Sequence, residues 1–498
     1  MDFLVFNSDF PILSLLVFIP VAGVPFLFLL PVNPFAKLWA LLITLINAGL
    51  SLQLLRVFDR DGFLFQFAEH HPWIPSLNIN YTLGIDGISL LLVLLTTLLV
   101  PLCVLCSWRY IQDRVREFLA CILIMETAML GVFMALDFVL FYIMWETMLI
   151  PMFLLIGIWG GPRKIYASVK FFLYTLAGSV MLPVAMIALY FHHEPHTFFI
   201  PELMGNGYPI DFQILIFLAF FVAFAVKVPM FPFHTWLPAA HVEAPTAGSV
   251  LLASVLLKMG GYGFLRFCLP MTPQAVHLFM PYLLALSIIA ILYGGLTALS
   301  QGDMKKLVAY SSVGHMGFVT LGIFVLNAWG LEGAMLQMIS HGITTGALFL
   351  CVGMLYERTH SRELSQVMGI MNRMPVFVTF LAVFCLSSLA FPGTNGFVGE
   401  FLILTGAFAH SKLLLVCAVP GAILAAAYML RMLQKIMFGG VNNPDVSHMN
   451  DLNLRETLTL LPLLVFVFWI GLFPGHVIDI MHTSVNHLLE QVSKGLTP

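Results

Sequence analysis

Apolar runs of about 20 residues, each long enough to cross the hydrocarbon core of a bilayer as a helix, recur fourteen times along this chain of 498 residues. They lie at 11–30, 34–55, 88–107, 117–136, 138–159, 169–191, 212–238, 247–267, 277–299, 306–327, 333–355, 376–407, 413–438 and 457–477. The joints between them are too short for a separate soluble body, so a single all-α polytopic membrane domain is expected over 1–498. Composition agrees: 60% of the residues are apolar and only 9% charged, where a soluble domain carries about a quarter charged. The formal charge of −3 supplies neither a basic field for nucleic acid nor an acidic solvating tail.

The seven cysteines sit almost entirely inside apolar runs and read as small core residues, not as a disulfide framework. Cys103 and Cys106 form a CxxC, but its flanks are continuous apolar helix with no second ligand pair, so no metal is expected there. The loop histidines His192, His193 and His196 read as a solvated loop. The amino terminus is acidic where a signal peptide is basic, and no cleaved signal is expected. Sorting Lys and Arg onto alternate sides of the spans places fifteen, from Lys37 through Arg455, on one side and five (Arg56, Arg60, Arg266, Lys412, Lys494) on the other. The richer side should be cytoplasmic, leaving both termini outside.

Two basic residues remain, Lys227 in span seven and Lys258 in span eight. A charged group within a bilayer is costly, so it usually faces a bundle interior and marks an ion or proton path. The other intramembrane candidates are Glu146, Glu400, His315 and His341, with Glu126, Ser311 and Thr345 as auxiliaries. Ser311 lies one helical turn before His315, and Thr345 one turn after His341. Each has a plainer reading: a snorkelling lysine for Lys227, a static Glu146–Lys227 salt bridge, a helix–helix hydrogen bond for Glu126, and core histidines bonded to hydroxyls.

Pro229 and Pro232 interrupt span seven, and Pro392, Gly393 and Gly396 interrupt span twelve. Broken helices at corresponding places in two halves mark transporters built from inverted repeats. Spans four to eight and nine to thirteen form two blocks of five, with the broken span fourth in each. An odd block length inverts the second block relative to the first. The expected units are 1–110 (three helices), 116–268 (first repeat), 276–438 (inverted repeat) and 456–498 (last helix and tail). Titratable groups in a row suit proton relay, while no phosphate loop or carboxylate cluster suggests an organic substrate.

The stretches LGIDGISL, LFYIMWETMLIPM, FAVKVPMFPFHTWLPAAH, ASVLLKMGGYG, KKLVAYSSVGHMGF and FPGTNGFVGEF resemble the antiporter-like subunits of respiratory complex I, NADH:quinone oxidoreductase, from about Gly84 to Phe438. Glu400, where sister subunits carry Lys, resembles the subunit M branch, whose mitochondrial counterpart is subunit 4. The resemblance implies a bacterial inner-membrane subunit that moves protons, driven by quinone reduction elsewhere in the complex. It implies neighbouring antiporter-like subunits L and N, with flavin, iron–sulfur clusters and quinone in other chains and no cofactor in this one. It also implies roles: Glu146 and Lys227 as a switchable ion pair, Lys258 as central relay, His315 and His341 as bridges, Glu400 as outward release. Opening the ion pair would leave Lys227 an uncompensated charge and push its proton toward Lys258. Rival readings are a subunit of a multi-subunit cation/proton antiporter, a b-type haem held by His315 and His341, and a structural scaffold.

Overall fold

A computed structural model describes residues 3–6, 10–440, 446 and 448–496. Among these, thirteen helices are long and apolar enough to cross a membrane. The sequence runs number fourteen because run twelve is split, into Pro375–Ser388 and Asn395–His410, each short of a full crossing. Burial sorts the helices into two shells. The apolar windows of Thr246–Met271 and Ala328–Thr359 are wholly buried, whereas those of Ile12–Leu29, Asn33–Val57, Lys412–Met437 and Leu454–Leu472 are buried by a third or less. An all-round apolar helix that stays uncovered within the chain is suited to lipid.

Breaks and irregular turns concentrate on the spans that carry ionisable groups. Span seven ends as a helix at Lys227, crosses an irregular 228–235 segment, and resumes at Trp236–Glu243. Pro229 there adopts a positive φ of 28°. Thr246–Met271 contains two π-helical turns, Leu252–Leu256 and Phe264–Cys268, with Lys258 between them. Such widened turns expose a carbonyl that regular i→i−4 bonding would occupy. Span five bends at Met148, where Pro151 cannot donate back to the Thr147 carbonyl, so Glu146 sits at the end of its first half.

Two elements outside the spans were not foreseen. An antiparallel hairpin, β1 (Gln66–Ile74) and β2 (Ile79–Ile85), lies across the helix ends, and its Leu83 bridges to Ala135. After Leu472 the chain turns, and Gly475–Leu496 forms an amphipathic helix packed on Gly87–Tyr110 and Ala328–Thr359. Run fourteen was expected to reach residue 477; it stops earlier because Pro474 cannot continue the helix.

Candidate proton-relay site

Close helix approach creates the centre of the site. A Cβ on Gly342 would meet the Ser254 carbonyl at 3.0 Å, and one on Gly346 would meet Ser254 Oγ at 2.6 Å. These glycines let Ala328–Thr359 lie directly on Thr246–Met271, and Ser254 Oγ seals the contact by donating to the Gly342 carbonyl at 2.7 Å. His341 is thereby set against Lys258, 83 residues away in sequence. Lys258 Nζ lies 2.6 Å from His341 Nδ1 and donates to the Ala253 carbonyl, five residues back, at 2.6 Å. With Lys258 as the ammonium, which only donates, the ring proton of His341 resides on Nε2. That Nε2 is buried without a protein partner.

The row continues. The His341 and His315 rings are 5.7 Å apart between centroids. Around them lies a small cavity lined by Gln337, Ser340, Thr344, Thr345, Ser387 and Ser388, with about 10 Å³ for the centre of a water molecule. His315 Nδ1 is 2.9 Å from Glu400 Oε1. Gln337 Nε2 donates to the same oxygen at 3.0 Å, and Glu400 Oε2 is buried without a partner. Gly399 places Glu400 here: a Cβ on it would meet the Gln337 side chain at 2.7 Å. The hydroxyls of Ser388 and Tyr428 stand 3.3 and 3.4 Å from His315 Nε2. Lys258, His341, His315 and Glu400 thus form one buried series, none more than 4% exposed.

Glu146 and Lys227 form a second group that is not in contact. Lys227 Nζ is buried with no hydrogen-bond partner, Glu146 Oε1 likewise, and the ammonium faces the Trp145 ring at 5.0 Å. The ion pair is open in this structure. Lys227 closes the half-helix before its break, whereas Glu400 follows the other break by one and a half turns, so the two are not positional equivalents about the breaks. A Cβ on Gly260 would meet the Phe224 carbonyl and Val228 nitrogen at 2.8 Å each, so the helix carrying Lys258 lies directly against the broken end carrying Lys227.

The auxiliaries divide. Ser311 Oγ bonds the Val308 carbonyl of its own helix at 2.8 Å, and the other neighbours of His315 are Ser388 and Tyr428 from other helices. Thr345 lines the small cavity. Glu126 accepts from Asn47 Nδ2 at 2.8 Å across two helices, the plainer of its two readings, although its second oxygen stays unpartnered. At the second break Gly393 has φ +90°, and a Cβ on Gly396 would meet the Ser387 carbonyl at 2.1 Å.

Sequence reasoning missed Asn395, which makes that break tenable. Its Oδ1 accepts from Ser387 Oγ at 2.5 Å and from the Gly396 amide at 3.0 Å, while its Nδ2 donates to the Ser340 carbonyl at 3.3 Å. It also missed the buried Asp86–Arg266 pair at 2.7 Å, near the end of span eight. Lys37, counted on the same side as Arg109, is buried and bonds the carbonyls of Trp108 and Ile111 at a helix C-terminus. Among the described residues no group of three or more His, Cys, Asp or Glu is placed to hold a metal ion. In the HHEPH loop His193 and His196 bond backbone carbonyls through Nδ1. The small cavity between His315 and His341 has no room for a porphyrin, which disfavours the haem reading.

A polytopic helical body with two interrupted spans and a buried Lys–His–His–Glu row defines an antiporter-like membrane subunit. Residues 135–425 match the family described as NADH:quinone oxidoreductase/Mrp antiporter, TM, and residues 23–132 match NADH-ubiquinone oxidoreductase chain 4, amino terminus. The chain belongs to this family, in the branch of NADH-quinone oxidoreductase subunit M and mitochondrial chain 4. It is 46% identical to subunit M of Rhodobacter capsulatus, covering 96% of both chains. It is also 46% identical to chain 4 of Chondrus crispus, covering 95% of this chain and 96% of that one. A chain of respiratory complex I from Thermus thermophilus superposes with a TM-score of 0.89 at 31% identity, covering 96% of this chain and 99% of that one. A chain of the Mrp complex from a Dietzia species shares the fold, with a TM-score of 0.83 at 21% identity over 97% of this chain and 55% of that one.

Proposed function

We propose that this chain is a proton-translocating subunit in the membrane arm of NADH:quinone oxidoreductase. Protons move along Glu146, Lys227, Lys258, His341, His315 and Glu400, and quinone reduction in other subunits drives them. The observation that carries this reading is the buried Lys258–His341–His315–Glu400 series, joined across one small cavity, four titratable groups held in an interior where a structural role would not repay their desolvation. The open Glu146–Lys227 pair supplies a switch: closing it stabilises a proton on Lys227, and opening it favours passage toward Lys258. The two breaks support a two-repeat organisation, 116–268 and 276–438, with the first three helices and the last one as flanks. In this reading flavin, iron–sulfur clusters and quinone reside in neighbouring chains. Subunits L and N flank this one in a bacterial cytoplasmic membrane, and both termini lie on the non-cytoplasmic side. The overall activity is that of a redox-driven translocase, with no redox centre in this chain.

The test uses inverted membrane vesicles carrying Lys258→Ala, with NADH oxidation and acidification recorded together and native gels confirming assembly. Both rates fall in assembled enzyme if Lys258 relays protons. Unchanged rates return weight to a scaffold role. Proton movement driven by a sodium gradient without NADH would instead favour a cation/proton antiporter.

A further inference from the structure

An apolar cleft of about 300 Å³ opens between Asn33–Val57, Gly87–Tyr110, Ala328–Thr359 and Leu454–Leu472, away from the relay series. Its floor is Leu95 and Ile343, both nearly inaccessible, and its rim is Leu52 and Trp469, which are 54% and 40% exposed. The hydroxyls of Ser51 and Thr97 line it but bond each other at 2.7 Å, so the wall offers water little to bind. Apolar cavities of even roughly half this volume stay dry and take apolar guests. In a bilayer the apolar guest at hand is an acyl chain.

The mouth of the cleft carries a positive charge. Arg56 follows Leu52 by one helical turn and adjoins Leu55, both of which line the cleft. It is exposed and has no hydrogen-bond or ion-pair partner among the described residues. His476, which also lines the cleft, stands 5.9 Å from Trp469 between ring centroids. Thr483 Oγ, in the first half of the last helix, bonds the Arg60 carbonyl at 2.8 Å, which ties that helix to the chain just beyond the Arg56 end of Asn33–Val57. A cation beside interfacial aromatics, above an apolar slot, matches the headgroup and tail of an anionic lipid.

We propose that this cleft is a phospholipid site, with an acyl chain filling the slot and an anionic headgroup phosphate against Arg56. The cleft floor includes Ile339 and Ile343, which flank His341 in sequence. The bound chain therefore seals the outer side of the helix that carries the relay histidine and keeps water off it.

The assembled complex is exchanged in detergent against equal parts of phosphatidylglycerol and phosphatidylcholine with deuterated chains, washed, and its retained lipid counted by mass spectrometry. Ala48→Phe/Leu98→Phe, which fills the slot, retains one lipid fewer per complex than the parent. Arg56→Gln keeps the lipid but loses a preference for phosphatidylglycerol of about fivefold, the contribution of one basic group near a membrane surface. Equal counts in the parent and an assembled filled variant overturn the site. An unchanged headgroup preference in Arg56→Gln overturns the assignment of the phosphate. Failure of the filled variant to assemble, while Arg56→Gln assembles normally, places a partner subunit's helix in the cleft and overturns the lipid.

Discussion

Arg266→Met should destabilise the assembled subunit far more than Asp86→Asn/Arg266→Met. Arg266 Nη2 meets Asp86 Oδ1 at 2.7 Å, Nε donates to Tyr262 Oη at 3.3 Å, and the guanidinium lies over the Phe65 ring at 4.9 Å. Asp86 also caps Gly87–Tyr110 through the Ser89 amide, and the Gly87 amide donates to Ser484 of the last helix. The pair therefore joins three elements at one end of the bundle. Methionine keeps much of the stem packing but leaves the Asp86 carboxylate, 4% exposed, without its counter-charge. Removing one partner of a buried pair costs about 3–5 kcal/mol, whereas replacing both with uncharged groups of similar shape is nearly neutral. For a chain this long the single change corresponds to a fall of about 5 °C in the midpoint. The assay is heat-induced loss of the intact complex on native gels, run as a double-mutant cycle with Asp86→Asn as the second single. The double variant recovers most of the loss because asparagine still caps the helix. Equal losses in Arg266→Met and the double variant would refute the reasoning, because the penalty would then come from packing and not from a stranded carboxylate.

Asn395→Leu should lower the yield of assembled complex by stranding the Gly396 amide at the second break, at a cost of about 1–3 kcal/mol for a buried unsatisfied group, while Ser387 Oγ keeps its bond to Thr344; native-gel yield equal to the parent would count against that role. Asp137 caps Phe138–Thr147 through the Val139 and Leu140 amides and also accepts from the Asn80 amide, yet burial pushes its carboxyl up to about 6 from an ordinary 3.8. A raised folded value means the folded state binds more protons across that window. This group's contribution to stability is therefore greatest below about pH 4 and declines as pH rises through 6. Asp137→Asn, which keeps a cap, should flatten the loss of thermal midpoint between pH 4 and 6, and an unchanged slope would assign that loss to other groups.

How much was legible from residues alone depended on the range of the interaction. Thirteen of the fourteen runs are helices, since length and hydropathy are local properties and a bilayer tolerates little else. Both breaks were readable because Pro229, Pro232, Pro392 and Gly393 act on their own backbone. The buried row was readable because a lysine or glutamate in an apolar run needs a reason to be there. Contact was not readable: Lys258 meets His341 only because Gly342 and Gly346 permit close packing with Ser254, a pairing with no signature along the chain. The partners of Arg266 and Lys37 were unreadable for a related reason, because a basic residue near a span end gives no sign of what it meets until the helices pack. The last helix escaped notice because its apolar residues recur on one face only, a pattern that hydropathy averaged over a span does not detect.

The link between the two histidines is the step on which the relay depends, and its geometry admits a substitution that separates holding from passing. His341 Nδ1 receives the Lys258 contact, while Nε2 is buried without a partner in a ring that lines the small cavity shared with His315, so the ring can take a proton on one nitrogen and yield it from the other. Glutamine can still accept from Lys258 through its amide oxygen, and it fills much of the same volume, but an amide does not ionise in this range. His341→Gln should therefore assemble normally and retain the Lys258 contact while losing conduction past it. In inverted vesicles, acidification per NADH oxidised should fall, or both should fall together if the redox reaction is obligatorily coupled to this route. His315→Gln should fail similarly, because its amide NH2 can still donate to Glu400, which Nδ1 meets at 2.9 Å, but cannot pass a proton on. Assembled His341→Gln enzyme with the parental proton yield and oxidation rate would mean that protons pass Lys258 by another path, and the Lys258–His341 contact would then be structural.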